Sequence, residues 1–182
     1  GFPDTYMACD THYLDVVKDL FQEAVEVSDT EVVIALPKGN PKGIKSLDDL
    51  TKPGIRVAIG QPEQCTIGVL TRKVLESEGV FEAVTKNVVT QTATSALLIP
   101  VVATGAADAS LAYLTDTIAE SDKVDAVRIS SKAAKAIQPF SIARSSRQKH
   151  LARRLKQHIV RSREDFEAAG FHWRLDTDKS NP

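Results

Sequence analysis

Cysteine is nearly absent from this chain: Cys9 and Cys65 are its only two among 182 residues, and their wide separation fits neither a CxxC redox motif nor a zinc cluster. A single disulfide stays open. Aromatic residues make up 5% of the chain, too few to supply stacking platforms for nucleic-acid bases. No apolar run is long enough to cross a bilayer, and no charged leader followed by an apolar stretch opens the sequence. The motifs GxSxG, GxxxxGKS/T and GxGxxG are missing, so the common nucleophile-elbow and phosphate-loop enzymes lack their signature. His12, His150, His158 and His172 show no HExxH or other zinc spacing, and the arginines around His150 and His158 repel a cation. No metal and no cofactor is expected. With 23 basic against 24 acidic side chains the formal net charge is −1, which gives no overall attraction to nucleic acid or an anionic membrane. Any anion site must be local.

What is present suits a folded domain. Hydrophobic residues at 42% and charged residues at 26% lie near the globular average, and the length fits one domain or two small lobes sharing a hinge. Thr5–Cys9 reads as a strand that begins at once, as if the chain started mid-fold. Leu14, Val17, Leu20, Phe21 and Ala24 recur at helical spacing behind a cap at Asp10 or Thr11. Glu31–Leu36 is a continuous β-branched apolar run, expected as a parallel strand covered on both faces. A short helix starts near Ser46, a strand runs from Arg56 to Gly60, and a helix follows from Thr66 to the stop at Glu78-Gly79. Val88–Thr92 reads as strand, Thr94-Ser95 as the cap of a helix through Val102, and Asp108–Tyr113 as strand again. This β-α-β-α-β order predicts parallel pairing, with strand ends and helix starts forming a ligand crevice. Val124–Ile129 and Pro139–Ala143 are strand-like, and one long helix carries Leu151, Leu155, Ile159 and Phe166 to Gly170. Asp176–Pro182 is polar and expected to fray.

The crevice loops hold the candidate chemistry. Cys65-Thr66-Ile67-Gly68 and Ala93-Thr94-Ser95-Ala96 each put a helix start behind a strand, where free N–H groups and the positive end of the helix dipole favour an oxyanion; ordinary capping explains the same residues. Tyr113, at the end of the next strand, can donate its hydroxyl there or serve as an amphipathic sheet-edge tyrosine. Glu63 beside Cys65 leaves thiol chemistry open, with no histidine nearby in sequence. Arg147, Lys149, Arg153, Arg154, Lys156, Arg161 and Arg163 make one helix basic, read here as a solvated face and not a nucleic-acid surface.

Several segments together resemble the molybdate-binding, ModA-like substrate-binding proteins of ABC transporters, from Pro3 to about Trp173. They are Pro3–Asp10, Val32–Pro41 with Ser46–Leu50, Val57–Pro62, Gly105–Asp108 before Tyr113, and Phe166–Phe171. The resemblance implies a type II periplasmic-binding-protein-like α/β fold with a mixed sheet, helices on both faces, and one complete lobe plus part of a second. It places residues 1–53 in a partial first lobe and hinge strand, 54–122 in the second lobe, 123–175 in the return through the hinge, and 176–182 in a tail. It implies capture of a tetrahedral oxyanion without chemistry, through Thr66 and Ile67 at a helix-start amide, Ser95 through amide and hydroxyl, and Tyr113 through its phenol. The family usually has Pro-Ala-Gly where Thr66-Ile67-Gly68 stands, a change that narrows the pocket or adds a donor.

The expected ligand is molybdate or tungstate, with sulfate or a small organic anion as alternatives, and the expected partner is a membrane ABC permease. No nucleic-acid partner is expected. A sensor or regulatory module and an enzyme using Cys65 are the competing classes. The resemblance further implies a periplasmic or extracytoplasmic location and a chain lacking the family's front strand-helix-strand-helix, so that an exposed sheet edge would invite self-association.

Overall fold

The computed structural model describes residues 2–175, so the tail expected to fray lies outside the described residues. The chain divides into two compact units, Gly1–Thr30 with Ala136–Pro182, and Glu31–Lys135. It passes from the first to the second within strand β2 (Val25–Pro37) and returns at the start of β7 (Lys135–Ile142). The expected second lobe, 54–122, lies inside the second unit.

In the second unit, β3 (Val57–Gly60), β4 (Val88–Thr92) and β5 (Ala109–Tyr113) form a parallel set with β3 in the middle. Gly60 and Thr92 are register partners, so β3 and β4 end level. Helix α2 (Thr66–Ser77) follows β3, a short 3-10 turn (Ser95–Leu97) and α4 (Leu98–Ala103) follow β4, and α5 (Leu114–Ala119) follows β5. All three connections therefore leave the carboxyl edge of one sheet. Both α2 and α4 pack on β3 and β5. Val32, Ile34, Leu36, Leu70, Val74, Leu98 and Leu111 are fully or almost fully buried, which removes the apolar faces read in the sequence from water.

Mixed pairing corrects one expectation. The Val32–Ala35 stretch of β2 pairs antiparallel with β5, and Val33–Pro37 pairs antiparallel with β6 (Val124–Arg128). A continuous apolar run reports burial on both faces, which β2 has here, and not strand direction. Helix α3 (Phe81–Thr85) is a further element that the periodicity did not show.

An arginine clasp ties the starts of β3 and β5. Arg56 grips Asp108 with its guanidinium, Nη2 to Oδ1 at 2.8 Å and Nε to Oδ2 at 3.3 Å, while its backbone N–H donates to Oδ2 at 2.9 Å. Hydrogen bonding from Arg56 holds the Asp108 carboxyl below its ordinary range against the opposing effect of burial. A depressed folded-state pKa contributes stability above the ordinary carboxylate pKa and loses it as pH falls through the folded value. Asp108→Asn is therefore expected to be less stable than the parent near neutrality, with the difference shrinking in acid. Urea midpoints at about pH 7 and about pH 3 check this, and a difference that grows in acid would refute it.

The first unit is built on β7. Strand β1 (Thr5–Met7) pairs antiparallel with it, Thr5 opposite Ile142 and Met7 opposite Phe140. Pro139 lies just outside that ladder, where its missing N–H costs no bond to β1. Strand β8 (His172–Trp173) pairs with β2 at Ser28 and Asp29. Val27, Phe140, Ile142 and Ala152 form the core, with Ile159, Phe166 and Trp173 packed against it.

The amphipathic helix expected from Thr11 to Ala24 is cut short. A 3-10 turn (Thr11–Tyr13) and α1 (Leu14–Val17) are all that form, and Val16 and Leu20 are 79% and 48% exposed. Phe21 bridges to Ala143 instead, the Gln22 N–H donates to Ile142 O at 2.9 Å, and Phe21 is buried beside the rings of Phe2 and Tyr6. Tertiary pairing overrides the helical period. The long helix also breaks, into α6 (Lys149–Arg161) and α7 (Arg163–Ala168). The break at Ser162 turns Phe166 toward Trp173 and Phe171, ring centroids 5.3 and 5.8 Å away. Arg153, Arg154 and Arg161 on α6 are exposed. None of them takes part in an ion pair among the described residues.

Candidate functional site

The carboxyl edge of β4-β3-β5 carries every residue singled out in the sequence for ligand contact. At the β3 exit, the Gln61 N–H donates to Thr92 O at 2.8 Å and the Cys65 N–H to Gln61 O at 3.0 Å, a tight turn that sets Cys65 as the cap of α2. Its thiol makes no capping bond. The sulfur lies 3.5 Å from Gln61 O and 3.6 Å from Thr92 O, a donor engaged by backbone. Both cysteines are free thiols, so the disulfide is not formed.

Two glycines make this turn possible. A methyl at Gly68 would sit 2.5 Å from Gln61 C and 2.6 Å from Gly60 O, and one at Gly60 would sit 2.6 Å from Ile67 Cγ2. The first turn of α2 is thus pressed onto the end of β3 with no room for a side chain between them. The Gly68 and Val69 amides donate to Cys65 O at 3.0 and 3.4 Å, leaving those of Thr66 and Ile67 as the helix's open donors among the described residues. The Ile67 side chain is 1% exposed and anchors the turn from below.

At the β4 exit, Thr94 caps the next turn by accepting from the Ala96 N–H, and Thr92 Oγ1 donates to Thr94 O at 3.0 Å. Ser95 is the first residue of that turn and half-buried. At the β5 exit, Tyr113 is 8% exposed and is itself the cap residue of α5. Ser95 neighbours the carboxyl of Asp116, three residues past Tyr113 in the first turn of α5.

Burial pushes the Asp116 carboxyl above its ordinary pKa, and the neighbouring Ser95 hydroxyl offsets part of the rise. Its Oδ2 is buried without a hydrogen-bond partner. The sequence reading missed Asp116. Its signal was available, a carboxylate in the first turn after an apolar strand end, Tyr113-Leu114-Thr115-Asp116.

The donor set consists of amides and hydroxyls on one sheet edge, the chemistry of an anion site that adds no cation. A family model described as bacterial extracellular solute-binding protein matches residues 3–172. The chain belongs to that family. The molybdate-binding protein ModA of Mycobacterium tuberculosis is 32% identical over 143 residues, covering 77% of this chain and 52% of that protein. This chain thus spans about half the length of the curated relatives it matches. Among solved structures, the periplasmic molybdate-binding protein of Azotobacter vinelandii superposes with a TM-score of 0.75 at 17% identity, covering 96% of this chain and 80% of that one. The sulfate-binding protein SubI of M. tuberculosis gives 0.78 at 18% identity, covering 98% and 71%. These superpositions bear out the fold class read from the sequence, a mixed α/β chain of the periplasmic-binding-protein type.

Among the described residues no group of three or more His, Cys, Asp or Glu side chains is placed to hold a metal ion, and no helix is long and apolar enough to cross a membrane.

Proposed function

We propose that this chain captures a tetrahedral oxyanion, molybdate or tungstate before sulfate, for delivery to a membrane ABC permease outside the cytoplasm, and that it does so without catalysis. The observation that carries this reading is the convergence of donors on one sheet edge: the open Thr66 and Ile67 amides, with Ser95 and Tyr113 at the neighbouring strand exits. An oxyanion presents acceptors in several directions, and donors fixed by a glycine-tight turn meet them with little ordering cost. The likeness to ModA favours molybdate, and residues 54–122 are the lobe that carries these loops. Binding of this kind favours the closed form of a hinged protein through contacts made only on closure.

Thermal unfolding with molybdate, tungstate, sulfate and phosphate, each at about 1 mM, tests the reading. For a Kd of about 10 μM, mass action gives about 2.7 kcal/mol of stabilisation, a rise in Tm of several degrees. A rise with molybdate and tungstate is the expected result. No rise with any of the four would overturn oxyanion capture by this chain.

Ser95→Ala removes a donor to a charged ligand and is expected to weaken anion binding about 10- to 100-fold. Isothermal titration calorimetry reads the change, and unchanged affinity would place the ligand elsewhere.

A further inference from the structure

We propose that the first unit carries a self-complementary surface through which two copies of this chain pair, the acidic segment 14–23 of each copy seated on helix α6 of the other. Every residue in the contact belongs to the first unit, so the proposal stands apart from the anion reading. The acidic half is the short turn around α1. The Leu20 N–H donates to Val17 O at 2.9 Å, which carries the turn past the end of α1 and sets Val16 and Leu20 one turn apart. Both are exposed apolar side chains. Asp15, Asp19 and Glu23 stand next to them at the same four-residue spacing, all three exposed. Asp19 and Glu23 form no ion pair among the described residues, and Asp15 has only Lys18, at 3.9 Å.

The basic half repeats this pattern with the opposite sign. Ala152 and Ile159 take the core side of α6, and Leu151 and Leu155, again four residues apart, are each left 46% exposed. Arg154 and His158 follow the two leucines at three-residue spacing, which puts them on the adjoining stripe of the helix surface, both exposed. Arg154 has no acidic partner among the described residues. Exposed aliphatic pairs rimmed by unpaired charge mark an association surface, and opposite charges flanking an apolar seam set both partner and orientation.

A second copy is the occupant because one chain supplies both halves at matching spacing. They are also neighbours within the unit: the Arg144 N–H donates to Leu20 O at 2.9 Å, and α6 begins five residues further on. A two-fold axis beside this face therefore sets each half opposite its complement, and the contact is made twice. Val16, Leu20, Leu151 and Leu155 of both copies leave water together, while Asp19 of each meets Arg154 of the other.

Sedimentation equilibrium from about 1 to about 500 μM chain tests the pairing. The mass is expected to rise from that of one chain toward that of two, with the dissociation constant increasing about tenfold between about 50 and about 500 mM salt. Arg154→Glu and Asp19→Lys each set like charges against one another at both contacts, and each is expected to weaken pairing at least about tenfold. Both positions are exposed, so urea midpoints should stay at the parent value. Mixing the two variants in equal amounts decides the matter. In the mixed pair one contact keeps the parental charges and the other has both reversed, so pairing should return to near the parent level. A parent chain that remains single up to about 500 μM would leave this face to another partner and overturn the proposal. Pairing that neither variant weakens, or a mixture that pairs no better than each variant alone, would overturn it as well.

Discussion

Gly68→Ala is expected to lower the stability of the second unit by about 1–3 kcal/mol and to weaken anion binding at least about tenfold. The added methyl would meet Gln61 C at 2.5 Å, Gly60 O at 2.6 Å and Pro62 N at 2.6 Å, all backbone atoms fixed by the turn out of β3. No rotation of a side chain relieves such a contact, so the first turn of α2 must lift from the sheet. Alanine also gains about 1 kcal/mol over glycine inside a helix, which offsets part of the loss. The binding effect has the same origin, because lifting the turn moves the Thr66 and Ile67 amides at the β3 exit relative to Ser95 at the β4 exit. Lys73→Ala, on the exposed side of the same helix, isolates the propensity gain and should leave both properties near the parent. Urea unfolding and calorimetry check the pair of variants. A Gly68→Ala chain with parental stability and affinity would show that α2 is not held as described.

Arg174→Ala is expected to destabilise the first unit by about 2–3 kcal/mol. Arg174 donates from Nη1 to Asp29 Oδ2 at 2.7 Å and from Nε to Glu26 Oε2 at 2.8 Å, and His172 lies 2.9 Å from the other Asp29 oxygen. The Asp29 side chain is 3% exposed, so its charge depends on protein partners and not on water. Removing the guanidinium leaves that carboxylate with less compensation in a dry setting, which costs more than the loss of a surface pair. The Arg174 backbone N–H also donates to Val27 O at 3.0 Å, so the arginine stands on the β8 and β2 pairing that closes the unit. Arg174→Lys, which restores charge but not the forked geometry, should recover part of the loss. Denaturant midpoints check the series, and equal midpoints for parent and Arg174→Ala would contradict the assignment.

The second unit was more legible in the sequence than the first. Its strands alternate with helices, and Gly79 and Gly105 stop α2 and α4 where their φ angles, +71° and +73°, suit glycine. The helix start near Ser95 was readable because its Thr94 cap is local chemistry, and the one at Thr66 because a polar loop gives way there to an apolar helical period. The proposed site was legible for the same reason, as three strand exits followed by helix starts. The proximity of Ser95 to Asp116 was not, because they stand on different exits and α5 has no strong apolar period to announce it. In the first unit, the 11–24 segment carried a helical pattern that lost to the bridge between Phe21 and Ala143, a pairing across more than a hundred residues. Strand direction was also out of reach, since burial alone decides the composition of Glu31–Leu36.

Amide chemical shifts of nitrogen-15-labelled chain, recorded during titration with molybdate, test the central claim most directly. Capture at the edge of β4-β3-β5 predicts saturable shifts centred on the Thr66, Ile67 and Ser95 amides, lost together in Gly68→Ala. Shifts centred on the basic helix α6, or none at those three amides at saturation, would contradict it.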